Sequence, residues 1–233
     1  MEKRFAVVGT DARQAAAGRA LERAGYAVGG AEQVALALGG RVSEPAKAIA
    51  RETGVELVDY FARPELAVYN AIPTAEGCIG ILLKERTRTL WGTNLLVLGF
   101  GPVGQALAVR LAVLGAEVTV CARRPEQRAL AESLGLRGAE LCRLGALAPA
   151  FDTVVNTIPA RVLTAPVLAA LRPGSLIVDL ASKPGGTDFE AARRLRCRAI
   201  HALSLPAACA PETAGEAVAR TVITILRERE GQT

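Results

Sequence analysis

Short apolar runs and longer amphipathic stretches alternate along the chain. The short runs have the length and composition of buried strands, and the longer stretches space their apolar residues by three and four, as one face of a helix does. This alternation predicts an α/β protein built of β-α units around a parallel sheet. In the first third, residues 5–8 read as a strand, 12–24 as a helix and 26–28 as a short second strand. Gly29, Gly30, Gly39 and Gly40 bracket a weak helix; a helix over 44–53 ends at Gly54, and 55–58 form a strand before a loop over 59–64. After the segment 68–72, Pro73 and Thr74 read as a helix start, with Thr74 as the N-cap and the helix continuing to about Arg88.

The second part is more regular. Strands are predicted at 95–98, 118–121, near Leu136, and at 153–156, 176–180 and 199–202. The helices between them cover 103–114, 126–134, 165–171 and 188–195, and a last helix runs from about Pro211 to Arg229. Six strands with intervening helices describe a doubly wound dinucleotide-binding sheet. The chain therefore divides into a small N-terminal α/β substrate lobe over 1–73 and a bridging helix and linker over 74–92. An NAD(P)-binding Rossmann domain follows over 93–210, and a C-terminal helix over 211–233 packs back toward the first lobe.

Gly99-Phe100-Gly101-Pro102-Val103-Gly104 is a G-x-G-x-x-G fingerprint in its proper context, after an apolar strand and at the opening of a helix. Gly99 allows the tight turn, Gly101 lets the backbone approach a pyrophosphate, and Gly104 lets helix and sheet pack closely. The helix N-terminus adds free N–H groups and the positive end of a dipole. Where an NAD-preferring site places an acidic residue, the second strand here ends in Cys121-Ala122-Arg123-Arg124. Two guanidiniums suit a 2'-phosphate, so NADP(H) is expected over NAD(H). The loops Thr157-Ile158-Pro159 and Leu180-Ala181 leave the carboxyl ends of their strands and complete the expected cofactor surface. Lys183, one of four lysines beside Lys3, Lys47 and Lys84, sits in the second of these loops, where a point charge could meet a substrate carboxylate.

Composition narrows the rest. The 233 residues are 51% hydrophobic, 22% charged and 4% aromatic, enough for a sizeable core and too apolar for global disorder. The net charge of +5 comes from arginines dispersed along the chain, with few aromatic stacking platforms, so nucleic acid is not an expected partner. Cys78, Cys121, Cys142, Cys197 and Cys209 form no C-x-x-C pair, and His201 is the one histidine, which argues against zinc and for reduced thiols in a cytoplasmic protein. The residues before Gly9 are too few for a signal-peptide core, and the apolar stretch 95–114 is interrupted by the glycine fingerprint, Gln105 and Arg110, so neither secretion nor membrane insertion is expected.

Taken together, Asp11 to Gln14, Tyr69 to Gly77, Gly99 to Gly104, Asn156 to Pro159, Asp179 to Phe189 and Ala210 to Gly215 resemble the dipicolinate synthase A-chain family. Order and spacing agree from about Tyr69 to the C-terminus. The resemblance implies a cytoplasmic oxidoreductase of the mother cell of a sporulating bacterium, oxidising dihydrodipicolinate, or its hydroxylated tetrahydro precursor, to dipicolinate with NADP. It also implies that the partner is the flavoprotein-like second subunit of dipicolinate synthase. A dicarboxylate substrate calls for cations, hydroxyls and helix N-termini. Arg13, Asn70, Thr74, Lys183, Thr187 and Thr213 are the candidates to bind it, and Lys183, Glu76 or Asp188 the candidate base for the ring proton. His201, alone on an apolar strand, reads as structural.

The segment from about Gly29 to Pro45 looks like the remainder of an internal deletion, and Leu203 to Ala207 lacks glycines expected of the family. A lobe of some 70 residues is thin for an independent core, so a homodimer is expected. Two alternatives remain: a shikimate- or hydroxy-acid-type two-lobed dehydrogenase, and a catalytically weakened, cofactor-binding partner protein.

Overall fold

The computed structural model describes residues 4–5, 12–28, 36–39, 44–54 and 56–230. The chain forms two compact units, residues 1–73 with 206–233, and residues 74–205, dividing between Pro73 and Thr74.

In the first unit, β1 (Arg4–Phe5) pairs in parallel with β2 (Ala27–Val28), and β3 (Leu36–Gly39) with β4 (Glu56–Asp59). Around them lie α1 (Ala12–Arg23), α2 (Glu44–Thr53) and the first part of α3 (Pro64–Glu85). The unit also holds α9 (Leu205–Cys209), all but its first residue, and α10 (Pro211–Glu230). The small residues Ala16, Ala17 and Gly18 of α1 are buried, and α10 meets that face at Gly215. A Cβ there would lie 2.6 Å from Arg13 O and 2.7 Å from Ala17 N. Leu21, Ala219, Val222 and Leu226 form the apolar cluster of this unit.

Three expectations change here. The region between Gly30 and Gly39 contains strand β3 rather than helix across its described residues, because Leu36 to Gly39 find a parallel partner in β4. Thr74 is not an N-cap: α3 begins at Pro64 and runs through Pro73 without ending. Proline removes one backbone donor from a helix interior, a cost of about 3 kcal/mol that burial can offset. Leu66, Ala71, Ala75, Cys78 and Leu82 of this helix are all buried. The strand expected at 5–8 and the deletion expected near 29–45 fall largely outside the described residues, which there comprise 5, 36–39, 44 and 45. Among the described residues α3 is the one helix long and apolar enough to cross a membrane, and it is partly buried here.

The second unit holds a six-stranded parallel sheet in the order β10-β9-β8-β5-β6-β7. Its elements in chain order are β5 (Asn94–Leu98), α4 (Pro102–Val113), β6 (Glu117–Ala122), α5 (Pro125–Ser133) and β7 (Arg137–Glu140). A short α6 (Leu144–Leu147) leads to β8 (Thr153–Asn156), α7 (Ala165–Ala170), β9 (Leu176–Asp179), α8 (Phe189–Arg194) and β10 (Arg198–His201). Read from β7 across to β10, this is the doubly wound order whose direction of winding reverses at β5 and β8. Alternate residues serve opposite faces, as the strand period requires: Leu95 and Val97 join one core cluster with Leu82, Leu107 and Leu111, while Leu96 and Leu98 join the other with Leu168 and Ile177. Both faces are covered, which is why these strands read as continuous apolar runs. At the amino-terminal edge of the sheet, Arg86 Nη1 lies 3.0 Å from Asp152 Oδ1 and also donates to Thr153 Oγ1, while Nη2 donates to Thr93 Oγ1 at 3.0 Å.

Candidate functional site

The site is built at the carboxyl edge of the second unit's sheet. β5 ends at Leu98 and the chain turns at Gly99, whose φ of +90° an L side chain rarely adopts. A Cβ on Gly99 would lie 2.5 Å from Thr157 Oγ1 and 2.9 Å from Ile158 Cγ1. A Cβ on Gly104 would press on Gly99 O and lie 3.0 Å from Gly99 C. The protein's own packing thus requires both glycines. Gly101 is different: nothing lies within 4 Å of where its Cβ would be. It caps α4 with no side-chain hydrogen bond, and Pro102 at the first turn has no N–H to lose. The space at Gly101 and the uncapped start of α4 fit the pyrophosphate of a dinucleotide. Phe100 has its side chain fully in the core, leaving its backbone to the turn, and its carbonyl accepts from Gln105 Nε2 at 2.9 Å.

At the end of β6, Cys121 and Ala122 are buried while Arg123 and Arg124 are exposed. Arg124 Nε stands 3.2 Å from Glu126, and among the described residues the Arg123 guanidinium has no partner. Sequence reading missed Arg128, one turn into α5, which braces this corner. Its Nη1 donates to Ala122 O at 3.2 Å and to Arg123 O at 2.9 Å, and its Nη2 lies 3.4 Å from Glu140 Oε1.

The loops after β8 and β9 share one buried hub. Asn156 and Asp179 are register partners at the ends of their strands, both fully buried, and Asn156 Nδ2 donates to Asp179 Oδ1 at 2.9 Å. Asn156 also grips Ile158 at both its backbone groups, donating to O at 3.0 Å and accepting from N at 3.1 Å. Asp179 accepts from Ala181 N at 3.0 Å, Gly186 N at 2.8 Å and the Thr187 hydroxyl at 2.7 Å. The His201 ring Nε2 lies 2.8 Å from Ala181 O, and the ring stacks on Phe189 with centroids 5.2 Å apart. The expected cofactor residues on these loops differ in exposure: Ala181 is buried, Thr157, Ile158 and Leu180 half-buried, and Pro159 exposed. The Thr157 hydroxyl donates to Leu98 O at 2.8 Å, tying this loop to the glycine turn.

The remaining candidates divide between the units. Arg13 and Asn70, both half-buried, and Thr213, exposed on the first turn of α10, lie in the first unit. Thr74, Glu76, Lys183, Thr187 and Asp188 lie in the second. Glu76 is exposed on α3, with Oε1 3.8 Å from Arg110 Nε. Asp188 is the N-cap of α8, accepting from Ala191 N at 3.0 Å, and Thr187 is buried with its hydroxyl on Asp179. Lys183 is exposed at the loop's apex, where the Lys183–Pro184 peptide is cis. Burial pushes the Cys78 thiol up to about 12 and that of Cys121 up to about 11; Cys142 and Cys209 are exposed, and all five cysteines are free.

A glycine turn at the switch point of a doubly wound sheet defines a nicotinamide-dinucleotide-binding domain of the dehydrogenase type. Residues 81–183 match the NAD binding domain of the D-isomer specific 2-hydroxyacid dehydrogenases. Over 184 residues, 79% of its length, the chain is 38% identical to the dipicolinate synthase A chain of Bacillus subtilis. That stretch spans 62% of the relative's own length. The crystal structure of the Bacillus subtilis A chain matches with a TM-score of 0.89 at 28% identity, covering 100% of this chain and 98% of that one. The corresponding structure from Bacillus halodurans gives a TM-score of 0.88 at 28% identity, covering 97% and 98% respectively. The resemblance to the dipicolinate synthase A chain is thus shown in sequence and in fold. A transhydrogenase from Sinorhizobium meliloti, 18% identical with a TM-score of 0.70 and coverage of 88% of this chain and 78% of that one, shares the fold.

Proposed function

We propose that the protein is an NADP-dependent oxidoreductase that converts dihydrodipicolinate, or its hydroxylated tetrahydro precursor, to dipicolinate. The observation that carries the proposal is the turn at Gly99–Gly104, open at Gly101, with Arg123 and Arg124 where an acidic residue would select NAD. When bound, the nicotinamide supplies the two-electron acceptor. Oxidation of the dihydropyridine ring removes a hydride to it and a proton to a base, leaving the aromatic dicarboxylate. Backbone groups of Gly99, Phe100, Gly101, Pro102, Val103 and Gly104 would hold the pyrophosphate, Ala122, Arg123 and Arg124 the adenosine ribose and its 2'-phosphate. Thr157, Ile158, Pro159, Leu180 and Ala181 would hold the nicotinamide end.

Lys183 is the proposed group for a substrate carboxylate, helped by Arg13, Asn70, Thr74 and Thr213. Glu76 and Lys183 are the better candidates for the base, because Asp188 caps α8 and Thr187 is committed to Asp179. The protein is proposed to act as a homodimer in the cytoplasm of the sporulating mother cell, together with the flavoprotein-like second subunit of the synthase.

The test is turnover of enzymatically generated dihydrodipicolinate with NADP+ and with NAD+, in the presence and absence of the flavoprotein-like subunit. Formation of NADPH together with dipicolinate is the expected result. NADPH binding without turnover under all conditions would replace this reading with that of a cofactor-binding partner protein. Light scattering across protein concentrations tests the dimer, and a fully active monomer would rule it out.

A further inference from the structure

We propose that Asp179 is a positioning residue that, through Thr187, presents Lys183 to the substrate; this rests on the proposed role of Lys183. Asp179 is completely buried, and among the described residues no lysine or arginine pairs with it. A carboxylate in that setting is costly unless every lone pair is used, and here four donors use them: Asn156 Nδ2, Ala181 N, Gly186 N and the Thr187 hydroxyl. A carboxylate closed by four donors is poorly placed to take a proton from substrate. The donors lie instead on both sides of one loop. Ala181 is its first foot; Gly186 and Thr187 are its second.

The burial pattern follows that anchoring. Ala181 and residues 185–187 are buried, whereas Ser182, Lys183 and Pro184 between them are exposed. Each foot is stitched a second time. His201 Nε2 lies 2.8 Å from Ala181 O. Gly186 O accepts from Val162 N at 3.0 Å and from Leu163 N at 2.9 Å. The apex therefore has little freedom except through its feet, and both feet converge on one carboxylate. Because Asn156 joins Asp179 to Ile158, the same hub sets the loop after β8. Preorganisation of this kind places a binding group at a fixed point before substrate arrives.

Thr187 is the place to test it, because valine keeps its shape and deletes its hydroxyl, while serine keeps the hydroxyl. Thr187→Val is expected to raise the substrate KM about fivefold or more, with NADPH affinity unchanged and Thr187→Ser near wild type. Lys183→Met should do the same, and Thr187→Val added to Lys183→Met should cost less than about twofold further, since residues acting as one unit are not additive. Multiplying effects would overturn the proposal. A second readout needs no turnover: acylation of Lys183 by an N-hydroxysuccinimide ester, followed by mass spectrometry with Lys47 and Lys84 as references. Thr187→Val should speed labelling of Lys183 about threefold against the references, and Thr187→Ser should restore it. Unchanged labelling in Thr187→Val would overturn the positioning role. Absence of turnover in the wild type would instead overturn the proposed reaction and leave the labelling result to stand by itself.

Discussion

Gly99 and Thr157 meet across the join of β5 and β8, and each fixes the other: the Thr157 hydroxyl donates to Leu98 O at 2.8 Å and leaves room at Gly99 for a hydrogen but not a methyl group. Gly99→Ala would combine a left-handed backbone with a contact of 2.5 Å to an oxygen that cannot move without losing its bond. A loss of about 2–3 kcal/mol is expected, read as a lower denaturation midpoint. Gly101→Ala, with open space around it, should leave the midpoint unchanged and weaken NADPH binding about tenfold or more. Equal midpoints for the two variants would show that the turn is not packed as described.

The arginines after β6 separate cofactor choice from stability. Replacing Arg123 and Arg124 together by alanine should weaken NADPH about tenfold or more and leave NADH unaffected, because the lost contacts are to the 2'-phosphate. Arg124 and Glu126 are 61% and 65% exposed, so their ion pair contributes little and the melting temperature should hold. Parallel losses for both cofactors in fluorescence titrations would place these side chains elsewhere than at the 2'-phosphate.

At the opposite edge of the sheet, Arg86 has a side chain only 9% exposed and ties Asp152, Thr153 and Thr93 together. Arg86→Met should cost about 3 kcal/mol, since it strands three polar partners. Burial acts to raise the Asp152 carboxyl, but the Thr153 hydroxyl and the Arg86 guanidinium outweigh it and hold it below its ordinary range. A depressed carboxyl stabilises the fold above its unfolded-state value, and that contribution is lost as pH falls through the folded-state value. Acid should therefore narrow the gap between wild type and Arg86→Met. A gap that is constant from neutral to acidic pH would remove Asp152 from the account.

The thiols give a prediction from burial alone. At mildly alkaline pH the Cys78 and Cys121 thiols, raised to about 12 and about 11, stay protonated and out of reach. Cys197 is raised in the same direction by burial. Ellman's reagent should modify Cys142 and Cys209 rapidly and the other three only on unfolding. A fast third thiol would contradict the packing of the second unit.

The strands of the second unit were legible because each is an apolar run buried on both faces, and the glycine turn was legible because its spacing encodes a backbone shape. What was missed depends on long-range partners. Leu36 to Gly39 are helix-compatible residues that pair as a strand only because β4 lies beside them. Pro73 reads locally as a helix start, yet the buried face from Leu66 to Leu82 carries α3 through it. Arg86 is 67 residues from Thr153, and nothing in the spacing joins them. Asp188 and Thr187 look available in sequence; the N-cap of α8 and the reach to Asp179 appear only once β8 and β9 are in register.

The first unit rests on the contact of α1 with α10, and Gly215 is its narrowest point. Helices come this close only where a glycine or alanine faces backbone, here Arg13 O and Ala17 N at 2.6 and 2.7 Å from a would-be Cβ. The backbone on the other side cannot rotate away as a flexible side chain could, so Gly215→Val must push α10 off α1. Ala219, Val222 and Leu226 would then lose their cover from Leu21. A cost of about 2–4 kcal/mol is expected, on the scale of an overpacked core. The damage should be local: amide exchange should accelerate across residues 12–23 and 211–230, while the six-stranded sheet stays protected and NADPH still binds. Loss of protection in β5 and β8 at the same rate would mean that the two units unfold as one. Unchanged exchange in α1 would mean that the helices do not meet at Gly215.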